Sequence, residues 1–173
     1  MFIETNRVVI TEFERNMSES VYLGSLDEDT RRFVPDEVFE TQNEAEEAVE
    51  QLIIAYKNPA GPFVYPILIN NKKYIGYVQL LQLGDKWEVG YHISKDYTGR
   101  GYATEALRAF LPVVMAQLDI KTVYGICHGE NIASQKVLEK CGFVLGYRGI
   151  SEYQNETTEI CRYTFKGEFG PHA

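Results

Sequence analysis

Thr98-Gly99-Arg100-Gly101-Tyr102-Ala103-Thr104-Glu105-Ala106 lies between a strand-like segment and the longest amphipathic helix pattern of the chain. Gly99 and Gly101 let the backbone approach a ligand with no Cβ in the way. The N–H groups from Gly99 to Ala103 fall at a helix start, where they lack intrahelical partners and where the helix dipole is positive. Such a loop can cradle a phosphate or pyrophosphate. Arg100 can add a charge-assisted contact, and Glu105 complements the dipole from the first helical turn. A glycine pair by itself also fits a plain strand–turn–helix connection, so the surrounding chain decides what the loop does.

Upstream of the loop the pattern is a meander. Phe63–Ile69 reads as a strand, Asn70-Asn71-Lys72-Lys73 as a turn, Tyr74–Leu83 as a strand, Gly84-Asp85-Lys86 as a turn and Trp87–Ser94 as a third strand. Before it, Arg7–Phe13 reads as a first strand and Asn16–Leu26 as a helix. Asp27–Phe39 reads as a loop with short helical turns, and Thr41-Gln42-Asn43-Glu44 as a capping box opening a helix through Ile53. Downstream, Ala103, Leu107, Phe110, Val114 and Leu118 keep helical spacing, with Pro112 expected to kink this helix or end its first part. A strand at Lys121–Cys127 and a helix at Asn131–Lys140, stopped by Gly142, follow. Strands at Phe143–Ile150 and Ile160–Phe165 close the chain, joined by the polar connection Ser151–Thr158, and the tail from Gly167 to Ala173 is expected to fray.

This order predicts an α+β (mixed α/β) fold, a mostly antiparallel mixed sheet of about seven strands with helices on both faces. It predicts one domain over residues 1–173, with a core of about 7–166. A dinucleotide-binding fingerprint would need a third glycine at Thr104 and an acid about twenty residues on, near Asp119. The absent glycine, the preceding meander and the short remaining chain argue against it.

The formal net charge of −8 disfavours a nucleic-acid partner and fits a cationic one such as an amine, although acidity for solubility explains it as simply. No apolar run is long enough to span a membrane, and Met1–Arg7 lacks the charged and apolar regions of a signal peptide, so neither membrane association nor export is expected. Cys127, Cys141 and Cys161 are odd in number and widely spaced. His92, His128 and His172 are scattered. Neither a disulfide framework nor a metal site is expected, and a reducing cytoplasm is the simplest setting.

A second cluster, Asn131-Ile132-Ala133-Ser134 followed by Leu138-Glu139-Lys140-Cys141-Gly142-Phe143, lies about thirty residues beyond the loop. Asn131 is a good helix N-cap, and Ser134 falls in the first turn of the same helix. These two clusters, with the strand phrase Glu88-Val89-Gly90-Tyr91-His92-Ile93, resemble the Gcn5-related N-acetyltransferase (GNAT) superfamily. They are most similar to its branch of ribosomal-protein N-terminal (alanine/serine) acetyltransferases. The family's loop, Arg/Gln-x-x-Gly-x-Gly/Ala, corresponds to Thr98–Ala103, with Thr98 departing from its first position. Leu138 stands where several other branches carry a tyrosine general acid.

The resemblance implies an acetyl-CoA-dependent N-acetyltransferase with no metal, working by direct transfer to a primary amine. The amine would be a protein N-terminus or a small amine, polyamine or aminoglycoside. It implies that the pyrophosphate rests on the loop Thr98, Gly99, Arg100, Gly101, Tyr102 and Ala103, that pantetheine pairs along Tyr91, His92 and Ile93, and that Asn131 and Ser134 contact its arm. It places the general base near Glu88, whereas Ser134 can hydrogen-bond the departing thiolate. Strand periodicity puts Glu88, Gly90 and His92 on one face and does not choose between Glu88 and His92. It also implies that Asn16–Tyr56 walls the acceptor cleft. The acidic residues Glu19, Asp27, Glu28, Asp29, Asp36, Glu37 and Glu40 there suit a positive substrate or simply a solvated face. The alternative in another class is a non-catalytic acyl-CoA-binding or sensor domain on the same fold. The chain is expected as a monomer or, through an exposed late strand, a homodimer.

Overall fold

A computed structural model describes residues 1–70 and 72–167. The chain runs β1 (Ile3–Glu4), β2 (Val9–Ile10), α1 (Ser18–Gly24), α2 (Glu28–Phe33), α3 (Gln42–Ala55), β3 (Phe63–Ile69), β4 (Lys73–Leu83) and β5 (Lys86–Ile93). It continues through α4 (Tyr102–Leu118), β6 (Thr122–His128), α5 (Ile132–Lys140), β7 (Val144–Tyr153) and β8 (Glu156–Lys166). The strands form one sheet of eight in the order β1-β2-β3-β4-β5-β6-β8-β7. Among the described residues only the β5–β6 pair is parallel. This is the mixed, mostly antiparallel α+β architecture expected, with one strand more.

The additional strand comes from the N-terminus. Thr5 turns the chain by bonding Val8 through both backbone N–H (2.9 Å) and hydroxyl (3.2 Å), so β1 and β2 form a small hairpin. The expected strand to Phe13 stops at Ile10, because the Phe13 N–H turns away to the Tyr56 hydroxyl at the end of α3 (3.0 Å). The polar connection Ser151–Thr158 is also corrected. Gln154 and Asn155, at φ 51° and 62°, make a two-residue turn, and both strands extend to it. Pro112 neither ends nor interrupts α4. It faces solvent, where the carbonyl its ring leaves unpaired can be hydrated, while Leu111, Val114 and Met115 hold the helix to the core. Asp119, in the left-handed region at φ 52°, closes α4. Asn71 and residues 168–173, with most of the expected frayed tail and His172, lie outside the described residues.

The core has two sides because β3 is buried on both faces. Phe63, Tyr65, Ile67 and Ile69 pack with Leu107, Phe110 and Val114 of α4. Val64 and Leu68 face the opposite side, with Val21 of α1 and Val49 of α3. Helices therefore cover both faces, and the N-terminal helices occupy the face that carries Glu88.

The Thr41 cap is present, accepting from the Glu44 N–H (3.2 Å), but Glu44 reaches back to the N–H of Glu40 (2.9 Å), one residue beyond the usual box. At the end of α5, Gly142 at φ 89° lets the Phe143 N–H reach Leu138 O and its own N–H reach Glu139 O, both at 3.0 Å. That turn sets the chain into β7.

Candidate active site

Gly99 and Gly101 both take left-handed φ, 74° and 82°, and Gly101 is the N-cap of α4. A side chain at either would be strained, so the loop keeps its backbone N–H groups open at the helix start. Sequence reasoning missed what holds it there. The Arg7 guanidinium bonds the Arg100 carbonyl (2.9 Å), pairs with Glu105 (2.6 Å) and covers the Tyr102 ring at 4.7 Å. Glu105 also accepts from the Thr5 hydroxyl (2.6 Å) and the Arg7 N–H (3.1 Å). Burial pushes the Glu105 carboxyl upward, but the bonds from Thr5 and Arg7 prevail and hold it below the usual range. The Thr98 hydroxyl bonds Lys95 O (2.9 Å) within its own turn. Arg100 is exposed, with its guanidinium 5.8 Å from the Tyr97 ring.

Beside this loop the sheet splays. β5 pairs with β4 along its length, but its parallel pairing with β6 covers only Glu88↔Tyr124 and Val89↔Gly125. Beyond Val89, no ladder pairs Gly90–Ile93 with β6. A cleft of about 370 Å³ opens at the divergence, lined by Glu88 and Tyr91 of β5, His128 of β6, Asn131 and Ser134. Burial alone raises the Glu88 carboxyl to about 7.

His92, although on the same strand face, is placed elsewhere. Its Nε2 lies 2.7 Å from the Thr30 hydroxyl and 3.8 Å from the Asp27 carboxylate, and its ring stacks on Tyr77 at 5.7 Å. Burial lowers the imidazole pKa against the pull of Asp27. Asp27 caps α2 by accepting from the Thr30 N–H (2.9 Å), so His92 ties the start of α2 to the sheet.

Across the cleft, Asn131 caps α5 by accepting from the Ser134 N–H (3.1 Å). The Tyr91 hydroxyl lies 2.9 Å from both the carbonyl and the hydroxyl of Ser134. The carbonyl can only accept. With the phenol proton there, the serine hydroxyl donates to the phenol oxygen. Burial raises the Tyr91 pKa, which keeps this donor protonated. Leu138 is core: it is 1 % exposed and packs so closely on Gly125 that a Cβ there would come within 2.5 Å of it.

The far wall was only partly foreseen. Phe33, Val34 and Glu37 of the expected N-terminal segment line the cleft. Phe33 contacts the His128 ring (5.9 Å), His128 meets Tyr153 edge-on (5.1 Å), and Arg32 pairs with Glu130. These contacts tie α2 to the far side of the splay. Their only sequence signal was the acidic content of that segment. Cys127, Cys141 and Cys161 are buried free thiols, with burial raising all three. Among the described residues no group of three His, Cys, Asp or Glu could hold a metal, and no helix is long and apolar enough to cross a membrane.

A splayed sheet, with a glycine loop at a helix start on one side and a buried carboxylate on the other, is the architecture of a GNAT-type acetyl-transfer domain. The family described as the acetyltransferase (GNAT) domain matches residues 7–144, and the chain belongs to it. It is an N-acetyltransferase, similar to the uncharacterized N-acetyltransferase YnaD of Bacillus subtilis (strain 168), at 28% identity over 146 residues and 82% of each chain. Its fold is similar to that of a GNAT-family acetyltransferase from Bacillus anthracis, with TM-score 0.83 and 23% identity over 96% of this chain and 98% of that one. It is also similar to RimL, a ribosomal L7/L12 alpha-N-protein acetyltransferase solved with coenzyme A, with TM-score 0.81 and 16% identity over 96% and 98%.

Proposed function

We propose that this enzyme moves the acetyl group of acetyl-CoA directly onto the α-amine of a protein or peptide N-terminus, with Glu88 as general base. The observation that carries this reading is the Glu88 carboxyl, buried at the splay and raised to about 7. A base must match the proton it takes. An α-amine has a pKa of about 7.7–8.0, within about one unit of Glu88, whereas an alkylamine near 10.4 lies more than about three units above it. The likeness to RimL supports the same choice of acceptor.

The chain fits acetyl-CoA at three places. The N–H groups from Gly99 to Ala103 suit its pyrophosphate, with Arg100 beside them. The open side of β5 at Gly90, Tyr91, His92 and Ile93 suits the pantetheine amides, as an added strand would. Asn131, whose side-chain carbonyl is used as a cap, has an amide N–H₂ to offer the same arm. Acetyl-CoA supplies the thioester. Glu88 takes the proton from the acceptor ammonium at a carboxylate oxygen, directly or through one water. The Ser134 hydroxyl, which rests on the Tyr91 phenol oxygen, would turn its one proton from that oxygen to a departing thiolate.

Thiol release from acetyl-CoA, measured with an N-terminal peptide, a diamine and an aminoglycoside, tests the reading. It predicts turnover on the peptide and its loss in Glu88→Gln. Turnover confined to the alkylamines would reject the acceptor. Unchanged turnover in Glu88→Gln would reject the base.

A further inference from the structure

β7 is the outer strand of the sheet, and among the described residues no strand pairs its far side; the Tyr147 hydroxyl donates to the Ile150 carbonyl (3.0 Å), which keeps a second lone pair for a partner's N–H. Such edges are usually blunted by proline, lysine or short length. β7 is ten residues long and contains neither proline nor lysine. Of the ten exposed large apolar side chains among the described residues, four lie on it: Val144, Leu145, Tyr147 and Ile150, the last 65 % exposed. The strand does bulge between Leu145 and Tyr147, but it keeps regular register from Tyr147 to Tyr153.

The turn fixes which backbone groups face outward. In a two-residue hairpin the flanking residues, here Tyr153 and Glu156, form a hydrogen-bonded pair. Ser151 and Gly149 therefore point their N–H and C=O at β8, and Arg148, Ile150 and Glu152 point theirs away from it. The side chains of Arg148, Ile150 and Glu152 share one face.

We infer that β7 pairs antiparallel with β7 of a second copy of this chain, about a two-fold axis at Ile150. This register sets Ile150 opposite the partner's Ile150. It sets Arg148 opposite the partner's Glu152, and by symmetry Glu152 opposite the partner's Arg148. Tyr147 then faces the partner's Tyr153. Opposite charges directly across a ladder stabilise it, and like charges destabilise it. Moving the axis to Arg148 sets arginine against arginine, and moving it to Glu152 sets glutamate against glutamate. An axis at Gly149 or Ser151 sets a charge against Ile150. The placing of Arg148 and Glu152 two residues either side of an apolar centre is self-complementary, as an isologous interface requires. The strand carries one arginine and one glutamate and is locally neutral, so it adds nothing to the repulsion between two chains of net charge −8. Arg148 already bonds Glu159 of its own chain (3.0 Å) through one guanidinium nitrogen, and its planar fork can serve a second carboxylate.

Sedimentation of the full chain over a concentration series tests the pairing. The wild type is expected to dimerise. Arg148→Glu and Glu152→Arg, each placing like charges opposite, are expected to weaken the dimer about tenfold, and the double reversal R148E/E152R is expected to restore it. Ile150→Lys, which leaves the Arg148–Glu159 bond intact, is expected to give monomers with unchanged far-UV circular dichroism. A wild type that stays monomeric throughout, or a dimer indifferent to both Arg148→Glu and Ile150→Lys, would overturn the inference. So would a folded double reversal that remains monomeric.

Discussion

Glu88 is under two opposed demands. Its carboxyl is raised to about 7 in the fold from an ordinary 4.5, with burial as the cause. As a base it must be ionised, so kcat/KM should rise with pH through about 7, and Glu88→Gln should abolish that limb with a loss of about 10²–10⁴ in rate. For stability the sign is reversed. Between pH 4.5 and 7 the folded chain binds a proton that the unfolded chain has released, so the neutral carboxyl's contribution is intact below 4.5 and is lost as pH rises through 7. At 1.36 kcal/mol per unit the difference is roughly 3 kcal/mol above that range. Glu88→Gln should therefore melt higher than wild type at pH 8 and alike at pH 4, while losing activity. Equal melting of the two proteins at pH 8 would show that the carboxylate is not desolvated. The sequence narrowed the base to Glu88 or His92 and stopped there, because period two puts both on one face. What sets their surroundings apart, and supports the proposal of Glu88, is Asp27 and Thr30, some sixty residues earlier, which occupy the imidazole. The Tyr91–Ser134 bond was hidden for the same reason, joining a strand to a helix 43 residues away.

The start of α4 shows which elements a sequence can disclose. Its glycines, its periodic apolar face and its neighbouring strands were legible, because each depends on residues within a few positions of one another. The clamp of Arg7 on Glu105 was not, since it spans 98 residues. The two closing strands were legible, but their extension through Ser151–Tyr153 and Glu156–Glu159 to a tight turn was also missed. Much of β7 is exposed, so it gives no apolar alternation to read. Gly101 tests the element directly. It holds φ 82°, where a side chain costs about 1–2 kcal/mol. Gly101→Ala should weaken coenzyme A binding measured by calorimetry, raise KM for acetyl-CoA and leave kcat at saturation within a few-fold of wild type. Arg7→Ala, which frees the Arg100 carbonyl from outside the loop, should change KM in the same direction and by less. A large fall in kcat with KM unchanged, in either variant, would place the loop in the chemistry and not in donor anchoring.

Over the whole molecule, one buried cluster runs from Val8, just before β2, to Tyr163 in β8, yet the sheet between β5 and β6 is stitched by two residue pairs only. We propose that residues 1–173 form a single domain, a reading supported by that shared core, and that they unfold in one calorimetric transition. A ligand lying along the open side of β5 would add the strand contacts the splay lacks, and its proposed anchors sit on both sides: the Gly99–Ala103 loop follows β5, and Asn131 follows β6. Coenzyme A should therefore act as a brace as well as a cosubstrate. At a free concentration 100 times its Kd it should add about 2.7 kcal/mol of stability. Hydrogen exchange should locate that gain. Backbone amides of Gly90–Ile93 should slow together with those of Gly99–Ala103. Adenosine 3′,5′-bisphosphate, which lacks both the pantetheine arm and the pyrophosphate, should give a smaller shift in melting and no protection on β5. Slowing at Gly99–Ala103 alone, with coenzyme A saturating, would mean that the donor binds without pairing to the strand, and the splay would then need another role.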